Sequence, residues 1–157
     1  MVKAAWVAAV LLAAWMGGVG TAQASAAFSC SIEDKALKLA VEGAFSRGVG
    51  EGVINFGGKL EVLAKATPAD LRNIDLEREH LTQTWINGRD LKLRMYRERT
   101  GSAPHGYVEL VVETRQSPRD ELEYAGSYVL TVHHLTSEQD SEGKTFTARG
   151  KARCSAG

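Results

Sequence analysis

The sequence lacks most of the features on which a catalytic or metal-binding assignment would rest. Its two cysteines form no C-x-x-C pair, and its four histidines show neither H-x-H nor H-x-x-x-H spacing. No G-x-S-x-G nucleophile elbow is present. The redox, zinc and serine-hydrolase motifs that local spacing can reveal are therefore excluded, and the sequence indicates no cofactor.

An excess of charge of one sign is also missing, because 19 basic residues balance 19 acidic ones. A domain that binds nucleic acid is usually strongly basic, so we do not expect nucleic acid to be the main partner. A second long apolar run is absent beyond the N-terminus. The mature chain is therefore predicted not to span a membrane.

What the N-terminus does contain is the pattern of a secretory signal. Lys3 precedes an apolar run over residues 4–15, and Ala22-Gln23-Ala24 fits the A-x-A cleavage pattern. The run is shorter than a membrane-spanning helix requires. We predict a signal peptide over residues 1–24 and one domain over residues 25–157, although cleavage after Ala26 or Ala27 also fits. The protein would then be periplasmic or secreted.

The two cysteines lie near the two ends of the mature chain, at Cys30 and Cys154. In an exported protein, a pair of cysteines usually forms a disulfide. Lipidation of Cys30 is the alternative, but the bulky Phe28 fits a lipidation site poorly and Cys154 would be left unpaired. We therefore predict a Cys30–Cys154 disulfide that joins the first strand to the last.

Apolar residues recur with a period of two along most of the mature chain, which is typical of strands. Residues 34–45 could form a helix or a strand, and Gly43 favours the strand. The sequence predicts an all-β fold, an antiparallel β-sandwich of about seven or eight strands, with a barrel as the alternative. The strand segments are residues 34–45, 54–64, 76–85, 91–99, 107–114, 124–135 and 145–154.

Three local features refine this prediction. Asn87 and Gly88 favour a type I′ turn that pairs residues 76–85 with residues 91–99. Residues 67–70 favour a short helical turn, with Thr67 as its capping residue, Pro68 at its first position and Asp70 at its third. The small residues on the inner face of segment 145–154 predict a bulky side chain lying across them, such as a tryptophan.

The segment from Tyr124 to Leu130 resembles the tyrosine-corner strand of immunoglobulin-like domains. A glycine, Gly126, stands two residues before Tyr128, as in that motif. Leu130 occupies the position where those domains carry a cysteine. The resemblance covers only these residues and implies a strand of a sandwich.

Basic residues accompany two of the predicted strands. If these strands were neighbours with the same face outward, the residues would form a cationic patch able to hold an anionic polymer or an acidic protein. The alternative is cross-strand pairing with Glu98, Glu109 or Glu113. The predicted binding residues are Lys92, Arg94, Arg97, Arg149, Lys151 and Arg153, with Tyr96 beside them.

Two functional hypotheses remain open at this level. The sequence favours a non-enzymatic module of the cell envelope that binds a protein or an anionic glycan. The alternative is a small exported hydrolase of envelope polymers, which would need acids such as Asp120, Glu121 and Glu138 to converge on a groove. The acidic turn over residues 138–143 lacks the ligand spacing of a calcium loop.

Overall fold

A computed structural model of the chain describes residues 26–46 and 52–157. The predicted signal peptide lies outside these residues. The described part consists of nine strands and two short 3-10 turns. The strands are β1 (Ala26–Glu33), β2 (Leu37–Ser46), β3 (Gly52–Val62), β4 (Asn73–Glu77), β5 (Leu81–Asn87), β6 (Asp90–Glu98), β7 (Gly106–Gln116), β8 (Glu123–His134) and β9 (Lys144–Ala156).

All nine strands belong to one antiparallel sheet in the order β4-β3-β2-β1-β9-β8-β7-β6-β5. Because β1 pairs with both β2 and β9, the hairpins continue round the molecule in one nearly barrel-shaped sheet. The all-β antiparallel prediction is confirmed. The strands number nine, however, and they form one rolled sheet where a sandwich would have two.

The sheet has two edge strands, β4 and β5, and these follow each other in the chain. A 3-10 turn over Arg78–His80, here called the crossing turn, carries the chain from one edge to the other. The guanidinium of Arg78 bridges the gap, since its Nε donates to the carbonyl of Val53 at 2.8 Å and its Nη1 to that of Leu81 at 3.1 Å. Arg78 thus links β3 to β5 at one end of the seam, which is the gap between the edge strands β4 and β5.

The core fills the inside of the roll with alternate residues of each strand. Leu110 and Leu130 of neighbouring strands are fully buried, and Val108 and Val132 are nearly so. The alternation predicted for residues 107–114 and 124–135 is therefore confirmed. It results from the period of two that places successive side chains on opposite faces of a strand.

The Cys30–Cys154 disulfide is confirmed, and it joins the first strand to the last. The two cysteines lie directly opposite each other in the β1–β9 ladder, with their Cα atoms 4.0 Å apart. The bond connects positions 124 residues apart in sequence. It therefore cross-links the first and last strands in the middle of the sheet, away from its two edges.

Local predictions had mixed outcomes. Residues 37–46 form a strand, as Gly43 suggested, but residues 76–85 are divided by the crossing turn between β4 and β5. The β5–β6 turn consists of Gly88 and Arg89, because Asn87 already pairs with Asp90. Only Gly88 has a positive φ, +58°, whereas a type I′ turn needs two such residues.

The predicted helical turn is a 3-10 turn over Ala69–Leu71, here called the cap turn, with Pro68 at its N-cap position. No side chain caps it, because Thr67 does not hydrogen-bond to its amides. Leu71 is fully buried and packs beside Gly106 at one end of the roll. No helix among the described residues combines the length and the apolar character required to cross a bilayer.

Candidate functional site

The basic residues of β6 are largely neutralised by the neighbouring strand. Lys92 Nζ lies 3.1 Å from Glu113, which is directly opposite it on β7. Arg94 Nε donates to Glu109 at 2.7 Å, and a second nitrogen of the same guanidinium also contacts that carboxylate. These are the cross-strand pairs that the sequence offered as the alternative to a free cationic patch.

The basic residues of β9 are arranged differently. Arg149, Lys151 and Arg153 alternate along the outer face of the strand, and all three are exposed. In the described part of the chain, no acidic side chain lies within 4.0 Å of their charged groups. We call these three residues the basic row. At about 6.6 Å between alternate residues, the row is roughly 13 Å long.

The residues flanking the basic row are short and uncharged. Arg149 stands opposite Val129 of β8, and Lys151 stands opposite Ser127. Arg153 has Ala125 on β8 as one neighbour and Ser31 of β1 as the other. The three long cationic side chains therefore extend beyond their shorter neighbours, where an extended anionic molecule can reach them.

An open groove on the outer surface continues from the end of the basic row. Ser155, the next outward residue after Arg153, lies on its floor with Ser29, and their hydroxyl oxygens are 3.0 Å apart. Ala44 and Leu122 also line it. The groove thus combines hydroxyl groups with small apolar surface, and one carboxylate, that of Glu42 opposite Ser29, also lines it.

The strands β6 and β9 are not neighbours, because β7 and β8 lie between them. With about 4.8 Å per step, they are roughly 14 Å apart, and Glu109 and Glu113 lie in the gap. The single patch across two adjacent strands that the sequence suggested is therefore not formed. Among the described residues, Lys92 and Arg94 of β6 have carboxylate partners, whereas the basic row of β9 has none.

Arg97 does not belong to the outer surface of β6. It shares the alternation of Leu91, Leu93 and Met95, which face inward, and its Nη1 donates to the carbonyl of Asp70 at 2.9 Å. It therefore holds the cap turn at the end of the roll. Arg97 is an odd number of residues away from Lys92 and from Arg94, so alternation along the strand places it on the opposite face. This spacing is the sequence signal for its role.

Tyr96 belongs to a stack of rings across three neighbouring strands. Its ring centroid lies 5.4 Å from that of Tyr107 on β7, which lies 5.4 Å from that of His133 on β8. Arg94 also lies over the Tyr96 ring, 5.9 Å from its centre. Burial raises the pKa of Tyr96, and the charge of Glu98 raises it further. The ring faces are occupied by one another, which favours a stabilising role over ligand stacking.

His133 and His134 point to opposite faces of β8, as their adjacent positions in a strand predict. Outside, His133 Nδ1 lies 2.9 Å from the hydroxyl of Thr145. Inside, His134 Nδ1 is buried and has no hydrogen-bond partner among the described residues. Burial lowers the pKa of His134, and the charges of Arg99 and Lys144 lower it further.

Arg99 and Asp70 tie the cap turn to the end of β6. The Arg99 side chain is only 8% exposed, and its Nε donates to Asp70 Oδ2 at 2.6 Å. This hydrogen bond holds the pKa of Asp70 below its ordinary value, against the effect of burial. The sequence offered no signal for the pair, whose members are far apart in the chain.

The bulky side chain that lies across the small residues of β9 is Tyr128, not a tryptophan. A Cβ added to Gly150 would stand 2.6 Å from the Tyr128 ring. The Tyr128 hydroxyl donates to Asp34 Oδ2 at 2.6 Å, across 94 residues of sequence. In a tyrosine corner the hydroxyl bonds to backbone a few residues upstream, so the local resemblance to immunoglobulin-like domains does not extend to this contact.

The acids required by the hydrolase hypothesis do not converge. Asp120 and Glu121 lie in the loop before β8, and Glu138 lies in the loop after it. A strand of this length separates its two ends by roughly 35–40 Å. Asp120 Oδ1 is also engaged, since it accepts a hydrogen bond from the amide of Leu122 at 2.9 Å.

In the acidic turn, Asp140 serves as an internal cap. Its carboxylate accepts hydrogen bonds from the amide and hydroxyl of Thr136 and from the amides of Glu142 and Gly143. The Thr136 hydroxyl makes the largest contribution to holding the pKa of Asp140 far below its ordinary value. Within residues 26–46 and 52–157, no group of three or more potential ligands is placed to hold a metal ion.

Comparisons of this chain with protein-family models, curated proteins and solved structures yield no match.

Proposed function

We propose that the protein is an exported, non-enzymatic module that binds an anionic glycan of the cell envelope through the basic row of β9. The observation that carries the proposal is the contrast between two strands. The cations of β6 have carboxylate partners on β7, whereas Arg149, Lys151 and Arg153 have none among the described residues.

Charge and shape both favour an extended polyanion as the ligand. Three like charges on one strand repel one another, and an external anion relieves that repulsion. Their spacing of about 6.6 Å suits a chain with repeated negative groups better than one compact anion. The adjoining groove, with Ser29 and Ser155 on its floor, offers hydroxyl groups to a sugar chain that continues past Arg153.

Export is the second part of the proposal. It is supported by the leader pattern of the sequence and by the disulfide, because such bonds persist mainly in oxidising compartments. The full-length chain produced in an exporting host should be recovered without residues 1–24. A purified product that retains the leader, or that titrates with two free thiols, would contradict this part.

The binding test compares the exported protein with two triple variants by isothermal titration. Arg149→Gln/Lys151→Gln/Arg153→Gln removes the basic row. The control, Lys38→Gln/Lys59→Gln/Arg115→Gln, removes the same charge from three exposed cations that have acidic partners. Dextran sulfate and polygalacturonate are the ligands, and neutral dextran is the blank.

We expect the native protein and the control variant to bind the anionic polymers, with an affinity that falls as salt rises. The row variant should bind at least about tenfold more weakly, since each lost contact with a charged group contributes about 1 kcal/mol or more. Equal binding by both variants would assign the affinity to net charge alone. Absence of binding by the folded native protein at low salt would reject the glycan and favour a protein partner.

A further inference from the structure

The edge strand β5 is the most exposed strand of the sheet. It pairs with β6 alone within the described residues, and every residue of β5 after Leu81 is exposed. Trp85 is 57% exposed and Ile86 is 48% exposed, the first on the outer face and the second on the face that continues the core. Large apolar side chains are thus open on both faces of one strand.

The free edge of β5 has a defined set of unpaired backbone groups. Asn87 and Asp90 flank a two-residue turn and form a hydrogen-bonded pair. By alternation, the amide and carbonyl of Thr84 and Ile86 point away from β6. The hydroxyl of Thr82 donates to the carbonyl of Arg94, which therefore faces β5. This contact supports the assignment of which residues of β5 bond to β6 and which point away.

The two edges of the sheet differ in their protection. The β4 edge is only five residues long and carries Asp75 and Glu77. A short edge strand and charged side chains both hinder edge-to-edge pairing. The β5 edge spans residues 81–87 and contains no charge, proline, glycine or bulge beyond the irregularity at Thr82. An unprotected edge of this kind is a template for another strand.

We propose that β5 pairs with β5 of a second copy of this chain, in an antiparallel arrangement with a two-fold axis at Thr84. The outward backbone groups of Thr84 then bond to those of its counterpart. Ile86 stands opposite Thr82 of the other copy, and Trp85 stands opposite Gln83. This register places no charged residues opposite each other, because the strand has none.

The same register also explains why Trp85 is exposed in the single chain. Its counterpart lies diagonally across the two-fold axis on the outer face, at a separation that large aromatic side chains can bridge. Pairing therefore brings the two indoles into contact with each other, and it gives hydrogen-bond partners to the outward backbone groups of β5. A strand contact of this size is at the small end of protein interfaces, so we expect a dissociation constant in the micromolar range.

The test is sedimentation equilibrium of the exported full chain from about 5 to 500 µM, a range that brackets such a constant. Thr84→Pro removes the outward amide and leaves the β5–β6 ladder intact, because that amide does not face β6. Thr84→Val keeps the amide and the shape of the side chain and is the matched control. Circular dichroism confirms that each variant is folded.

We expect the native protein and Thr84→Val to dimerise, and Thr84→Pro to dimerise at least about tenfold more weakly. Dimerisation of Thr84→Pro with native affinity would overturn the proposal, since the contact would then lie elsewhere. A native protein that stays monomeric over the whole range would overturn it too, including the case in which it instead binds an unrelated extended peptide.

Two charged variants test the register without a proline. Thr84→Lys and Thr84→Glu each place like charges opposite each other across the two-fold axis, and each alone should be monomeric. An equimolar mixture of the two should form a heterodimer. Failure of the mixture to associate more strongly than either variant alone would exclude self-pairing at Thr84.

Discussion

Removal of the Tyr128 hydroxyl tests how the interior of the roll is organised. The ring of Tyr128 is 1% exposed, and its hydroxyl is the described donor to Asp34 Oδ2. The other oxygen, Oδ1, accepts the amides of Ala36 and Leu37. Tyr128→Phe therefore leaves Oδ2 without its protein donor and keeps the ring in place.

The expected loss follows from the type of bond. A hydrogen bond to a charged group contributes about 1.5–3 kcal/mol. Asp34 is half-buried, so water can replace part of the lost contact. We expect Tyr128→Phe to lower the free energy of unfolding by about 1.5–2 kcal/mol at neutral pH, measured by urea denaturation.

The dependence on pH gives the prediction a sign. Burial raises the pKa of Asp34, but the hydrogen bonds from Tyr128, Ala36 and Leu37 and the nearby charge of Lys35 outweigh it and lower the pKa overall. The carboxylate therefore stabilises the fold above its unfolded pKa of about 4, and this contribution is lost as the pH falls through the lower folded value. The difference between native protein and Tyr128→Phe should shrink below about pH 4.

Tyr124→Phe is the matched control on the same strand. Tyr124 packs against the core, and its hydroxyl has no hydrogen bond to another described residue. Tyr124→Phe should lower the free energy of unfolding by less than about 0.5 kcal/mol, both at neutral pH and below about pH 4, as substitutions away from specific contacts usually do. Equal losses for the two variants, or a Tyr128→Phe loss that grows in acid, would refute the role given to the hydrogen bond.

Two further predictions concern the contacts that hold distant parts of the chain together in the sheet. Replacement of Cys30 and Cys154 by alanine should lower the free energy of unfolding by about 2–5 kcal/mol, because the bond closes a long loop of the unfolded chain; a change below about 1 kcal/mol in urea denaturation would contradict this. Arg78→Met should cost about 1 kcal/mol, since the carbonyls of Val53 and Leu81 lose a donor. Hydrogen exchange should then accelerate in β5 more than in β8, and unchanged exchange in β5 would count against a role for Arg78 in the seam.

Much of the fold could be predicted because the relevant signals are local. The side-chain alternation in a strand depends only on the backbone, so the inward faces of residues 107–114, 124–135 and 145–154 could be read directly. The cysteine positions indicated the disulfide. The same alternation could have separated Arg97 from Lys92 and Arg94, which the prediction grouped together.

What the sequence could not supply was the complete order of the strands. The order of strands depends on how the whole sheet closes, and consecutive hairpins are compatible with two sheets or with one rolled sheet. In the single rolled sheet, β7 and β8 lie between the basic residues of β6 and those of β9. The same arrangement decided which cations have carboxylate partners and which do not.

The sequence by itself thus determined the class of the fold, the disulfide and the face on which most side chains lie, because each follows from local spacing. Only the tertiary structure decided that Tyr128 meets Asp34, that β4 and β5 are left as edges and that the basic row of β9 has no described acidic partner. These are relations between residues far apart in the chain, and they depend on packing that local alternation does not encode.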